Sequence, residues 1–258
     1  MKNFSVLVVI GMAALAYLFF IQAQDNANEQ STVEVTEERH THLHFSTTQV
    51  WDEEYIKVLE AGQEWVTFYK PKLSVAPPPT EPAEIEEELR ILHSYIEMRT
   101  PEKIWEISSE IEVEDALFDK QYLEDILKEK TETKKLLKEM FDRFEPIEVA
   151  FKKEFDRVRP SVYDQTLGTV IQVPGHPAYP SYHAADSTII ALLLGELNPE
   201  KSDVYLQDVE RISRNREIAG VHYPSDSIAG QMLARDFYEI IQNEEWFSVG
   251  YEAALNEW

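Results

Sequence analysis

The stretch HPAYPSYHAADSTIIALLLGEL, residues 176–197, decides the fold. From His183 onward it reads as an apolar helix, and what precedes it is a tight, proline-bearing turn that delivers the chain to the helix start. Ser181 is placed to act as N-cap, with Gly195 or Asn198-Pro199 closing the far end. A helix start of this kind leaves backbone N–H groups and the positive end of the helix dipole facing the turn, which makes it a ready anion site. His183 projects into the same place. Taken alone, the segment fits a capped helix with an incidental histidine equally well.

Upstream lies KKEFDRVRP, residues 152–160, in which Lys152 and Arg159 are seven residues apart. On one helix that is two turns, so both cations share a face, and Pro160 ends the helix behind them. Arg157 falls on the opposite side and is expected at the surface. Downstream lies NREIAGVHYPSD, residues 215–226. Pro224 suits a first helical position, which makes Asp226 the third and lets its carboxylate reach back to the chain around His222. A carboxylate holding one imidazole nitrogen fixes the tautomer and leaves the other nitrogen with an outward lone pair, the state in which histidine is a nucleophile. Arg216 adds a planar fork suited to two phosphate oxygens.

The remaining chain is helical in period. Ile85, Leu89, Leu92 and Ile96 form one helix face after the rigid lead VAPPPTEPAE. Further helices are expected at about 115–129 and 132–144, then from Pro146 through Arg159, and at about 203–219 and 224–242. No strand alternation appears, so the expected fold is all-α, a helical bundle packed by ridges into grooves.

With 48 acidic and 24 basic residues the net charge is −24, which disfavours nucleic acid as a partner. The surplus falls mostly before residue 150; residues 150–226 carry 11 acidic and 8 basic side chains. The absence of cysteine excludes disulfides, zinc-thiolate sites, thiol catalysis and lipoprotein acylation. MKNFSVLVVIGMAALAYLFFIQAQ reads as a signal peptide over residues 1–23, an uncleaved membrane anchor being the alternative, so the body is expected in the periplasm or secreted. Residues 24–74 are expected to be an acidic tether and lead-in, and residues 75–258 the catalytic domain. Within the tether, His40, His42 and His44 could grip a metal if extended, but a solvated linker is the simpler reading.

Together, Lys152-x6-Arg159-Pro160, Pro180-Ser181-Tyr182-His183 and Arg216-x5-His222-x3-Asp226 resemble the three-part signature of the type 2 phosphatidic acid phosphatase superfamily, which includes bacterial class A acid phosphatases and vanadium-dependent haloperoxidases. The resemblance covers roughly residues 75–242, is tight from 152 to 226, and leans toward the class A acid phosphatases. It implies the all-helical fold of that group and a metal-free, cofactor-free site acting on a small phosphate ester. In that site His222 attacks phosphorus, Asp226 orients it and His183 protonates the leaving oxygen. Lys152, Arg159, Ser181, Tyr182 through its backbone N–H, and Arg216 hold the phosphoryl oxygens.

Two positions depart from the family pattern. Tyr182 stands where glycine is usual, which suggests a wall or gate at the pocket, and Asn215 stands where serine is usual. His176 is expected on a loop surface. Rival readings are a haloperoxidase with vanadate as cofactor on His222, and a catalytically impaired phosphate-binding protein whose site Tyr182 has closed. Homo-oligomerisation is left open.

Overall fold

The computed structural model describes residues 43–110 and 128–258. The leader, His40, His42 and all but the last two residues of the helix expected at about 115–129 lie outside the described residues. Among the described residues every named element is a helix, the one departure being an isolated bridge between His44 and Arg157.

The apolar run becomes α8, and its composition explains its place. We number the described α-helices α1 (Phe45–Thr48), α2 (Glu53–Ala61), α3 (Gln63–Tyr69), α4 (Pro82–Ser94), α5 (Pro101–Ser109), α6 (Thr131–Phe155), α7 (Pro160–Tyr163), α8 (Tyr182–Leu197), α9 (Ser202–Ile218), α10 (Pro224–Ile241) and α11 (Glu245–Leu255). A helix apolar on all sides has no solvent face, so α8 is central. Ile189, Ile190, Leu193 and Leu194 are all buried, each contributing roughly 1.5–3 kcal/mol by leaving water. It packs mainly against α9 and α10, while α6 packs against α2, α3 and α11. Gly230 lets α10 approach the start of α8: a Cβ there would lie 2.3 Å from the Ser181 carbonyl oxygen.

Three expectations about α6 and its surroundings are corrected. Pro146 does not restart a helix, because α6 runs unbroken through it to Phe155. The proline ring sits against the Gly62 backbone between α2 and α3, where a Cβ would meet Pro146 Cγ at 2.1 Å; side packing holds the two halves in line despite the missing N–H. The helix also does not reach Arg159. It stops at Asp156, in the left-handed region at φ 47°, so Arg159 caps α7 rather than sharing a helix face with Lys152. Arg157, expected outside, is buried.

Part of the expected tether belongs to the body. From Leu43 on, the chain clusters with the compact unit; Phe45 and Tyr69 are buried, and the Phe45 N–H donates to the Asp156 carbonyl at 2.8 Å. Helices α2 and α3 each carry an apolar stripe too short to stand out in so acidic a stretch, and docking on α6 stabilises them.

Candidate active site

Around one cavity of about 1020 Å³ stand Arg159, Tyr182, His183, Arg216 and His222, brought from four parts of the chain. The turn that presents His222 depends on Gly220, whose φ of 82° suits glycine and whose Cβ would collide with the Gly168 carbonyl oxygen at 2.4 Å.

The His222 arrangement follows the spacing expected from sequence. Asp226, third residue of α10, accepts the Tyr223 N–H at 2.9 Å and meets His222 Nδ1 at 3.2 Å through the same oxygen, Oδ2. On its other side, His222 Nε2 lies 2.8 Å from Arg159 Nη1. A guanidinium has no lone pair, so Nε2 is the acceptor and the imidazole proton sits on Nδ1, toward Asp226. Burial first, and then the positive charges of Arg159, Lys152, His183 and Arg216, hold His222 well below the usual histidine range. The ring is therefore neutral at ordinary pH, with its Nε2 lone pair accepting from Arg159 at the wall of the cavity that both residues line.

Arg159 is fully buried and held on every nitrogen. Nε and Nη2 donate to the His176 carbonyl at 3.1 and 3.0 Å, and Nη1 donates to the Val221 carbonyl at 2.9 Å as well as to His222. Burial lowers it to about 10 against the pull of Asp226. Arg216 donates through Nη2 to the Ile107 carbonyl at 2.8 Å and to Glu110 at 3.1 Å, while its buried Nε has no protein partner. A buried cationic donor without an acceptor is costly unless an anion completes it.

Ser181 caps α8 as expected, its hydroxyl accepting the Ala184 N–H at 3.4 Å, and its own N–H donates to the Asp226 carbonyl at 2.9 Å, which ties the α8 start to the His222 turn. It is fully buried and does not line the cavity. His183 does line it, with Nε2 3.0 Å from the Glu110 carbonyl oxygen.

Lys152 departs from expectation. It also does not line the cavity: its ammonium donates to the carbonyls of Pro177 and Pro180, at 3.0 and 2.5 Å, and lies 4.2 Å from the centre of the Tyr182 ring. Tyr182 lines the cavity as a wall and lies over the lysine. Burial, and then Arg159, push Lys152 well below the usual lysine range. The phenol ring is packed between Tyr55 and His176, with ring centres 5.9 and 4.8 Å away, and its buried hydroxyl has no hydrogen-bond partner.

His176, expected on the surface, is buried in this aromatic cluster and pushed down by burial and by Lys152. Sequence reasoning also missed Tyr55, Glu110 and Glu148. Glu110 accepts from Arg216 and from both Asn215 and Arg211, so Asn215 acts by holding this carboxylate at 2.9 Å. Glu148 is buried beside Asp186; burial and that neighbouring carboxylate push it well above the usual carboxyl range. None of the three belongs to a recognisable spacing; they reach the site only through tertiary packing. Among the described residues no group of three or more histidine, aspartate or glutamate side chains is arranged to hold a metal ion.

The fold and the arrangement of the site resemble those of the helical phosphatases of the type 2 phosphatidic acid phosphatase superfamily, and an acid phosphatase relative and a structural neighbour both support that superfamily. Over 110 residues the chain is 29% identical to a non-specific acid phosphatase from Providencia stuartii, a match spanning 41% of this chain and 44% of the relative, so less than half of that curated protein is covered. In fold it is similar to the transmembrane PAP2 type phosphatidylglycerolphosphate phosphatase from Bacillus subtilis, with a TM-score of 0.50 and 13% identity over 74% of this chain and 95% of that one. No protein-family model matches the chain. Unlike that transmembrane neighbour, this chain has, among its described residues, no helix long and apolar enough to cross a membrane.

Proposed function

We propose that the chain is an exported, metal-independent phosphomonoesterase that works through a phosphohistidine. The observation that carries this reading is the arrangement of His222: proton on Nδ1 toward Asp226, and Nε2 accepting from Arg159 at the wall of a cavity that His183 also lines. Nε2 attacks phosphorus as the bond to the ester oxygen breaks, and His183 gives its proton to the departing alkoxide. His183 then takes a proton from water, whose oxygen attacks phosphorus and returns the electron pair to Nε2. Arg216, with its unpartnered Nε, and the N–H of Tyr182 in the first turn of α8 are placed to bind the equatorial oxygens. Arg159 joins them by turning Nη1 from His222 to the arriving oxyanion, which frees the nucleophile. Export rests on the apolar run over residues 6–21.

A second reading has its own support. The Tyr182 ring covers Lys152, which weakens direct contact between that cation and substrate and favours a phosphate-binding protein with little turnover. Assay of p-nitrophenyl phosphate hydrolysis, with and without chelator and with vanadate as inhibitor, separates the two. Chelator-resistant, vanadate-sensitive turnover supports the hydrolase; saturable phosphate binding without turnover supports the binding protein.

A further inference from the structure

The chemistry proposed above gives no role to Arg157, a buried cation beside the Asp226 that holds the nucleophile. We propose that Arg157 is a positioning residue, which fixes the plane and charge of Asp226 and through it the lone pair of His222; this rests on the reading of His222 as nucleophile.

The geometry is that of a filled fork. Arg157 Nη1 donates to Asp226 Oδ1 at 2.5 Å and to the Ser225 hydroxyl at 2.7 Å, and Nη2 donates to Glu88 Oε2 at 2.6 Å. Asp226 Oδ2 is the oxygen that holds His222 and the Tyr223 N–H, so the two oxygens of one carboxylate are pinned from opposite sides and it cannot rotate away from the imidazole. Glu88, on α4, accepts the Ser225 N–H through Oε1 at 2.8 Å, which fixes the far end of the fork to the first turn of α10. The guanidinium lies 3.8 Å from the Tyr223 ring centre. Burial alone would lower Arg157; Asp226 and Glu88 outweigh it and hold it above its ordinary value.

Other charged and titratable groups also face this cluster. Arg159, Lys152, His183 and Arg216 act on His222, while Glu217, Tyr179 and Tyr223 act on the Asp226 side. None of these cations donates to Asp226 in a described hydrogen bond; Arg157 does.

The arrangement gives opposite signs for its two ends. Removing the cation makes the His222–Asp226 pair take up an extra proton more readily, which occupies the lone pair. Removing Glu88 leaves the whole Arg157 charge on Asp226 and makes the extra proton less favourable. The test is the full chain and its Arg157→Gln, Arg157→Lys and Glu88→Gln variants, with the pH dependence of kcat/KM measured alongside 15N chemical shifts of the His222 ring. In Arg157→Gln the acid limb and the ring titration move up together by about one to three pH units; in Glu88→Gln they move down. Arg157→Lys keeps the charge but cannot span both carboxylates, so the limb stays while kcat falls roughly 10- to 100-fold with KM nearly constant, as for other outer groups that orient a reactive imidazole.

A purely structural clamp predicts lowered stability in all three variants with the ring titration unmoved, and that result, or shifts of the same sign in Arg157→Gln and Glu88→Gln, overturns the proposal. If Arg157→Gln does not fold, the Glu88→Gln shift and the Arg157→Lys kcat loss decide. If the parent chain hydrolyses no ester, the hydrolase reading fails on its own, and the ring titrations still judge the coupling.

Discussion

Nη1 of Arg159 lies 2.8 Å from Nε2 of His222, and this contact between a group that only donates and a ring nitrogen fixes the tautomer of the candidate nucleophile. Replacing Asp226 by asparagine tests that inference. The amide would donate to Nδ1, move the ring proton to Nε2 and set it against Arg159, so Nε2 would keep no lone pair. Asp226→Asn is expected to lower kcat by about 10⁴-fold, as in other sites where the orienting carboxylate is lost. Activity within tenfold of the parent, on folded protein, would mean that His222 does not act through this tautomer.

Tyr182 and Lys152 provide a second test. With the ring 4.2 Å from the ammonium, Tyr182→Gly should uncover the lysine and tighten inhibition by phosphate and vanadate. Truncation of so buried a ring is expected to cost stability, on the order of 3–5 kcal/mol, so inhibition should be measured at low temperature. Tyr182→Phe, which removes a hydroxyl without a partner, should leave stability unchanged or raised, read as Tm. A clear drop in Tm for Tyr182→Phe would show that the hydroxyl is bonded in solution.

His183 is assigned the leaving-group proton. His183→Asn should therefore slow hydrolysis of alkyl phosphates far more than that of p-nitrophenyl phosphate, whose leaving phenolate needs no proton; general acid catalysis typically contributes 10²–10⁴-fold. Equal losses on both substrates would assign the proton elsewhere.

Glu148 gives a stability prediction with a defined sign. Its carboxyl is pushed well above the usual range, so above about pH 4.3 the unfolded chain ionises this group while the folded chain keeps its proton, and stability is lost as pH rises toward the folded value. His222 and His176 act in the other direction. Both are held below about 6.5, so their contribution is complete above that pH and is lost as pH falls below it. Glu148→Gln keeps a donor toward Asp186 and should stabilise the protein more at pH 7.5 than at pH 5, by up to about 1.4 kcal/mol per pH unit until the folded group titrates. Parallel Tm profiles for the two proteins would refute the assigned proton.

The parts of the molecule that were legible in sequence are those fixed by local rules. Ser181 as a cap, the all-round apolar α8, and Asp226 reaching back across a Pro-started turn to His222 each follow from spacing within one helix start. What sequence did not reveal depends on contacts across the chain. Arg157 looked exposed because a helix was assumed to continue to Arg159; the left-handed Asp156 breaks that phase and turns the side chain inward to Glu88, 69 residues away in sequence. His176 and Tyr55 meet only through packing, and the screening of Lys152 follows from the size of Tyr182, whose presence was visible but whose direction was not.

The most direct test of the account is to trap the phosphorylated protein with a labelled ester, quench it, and locate the label. The account predicts one phosphoryl group on His222, stable in alkali and lost in acid, absent from His222→Ala. Turnover with no label on His222, or an acid-stable phosphoester on a serine, would contradict it.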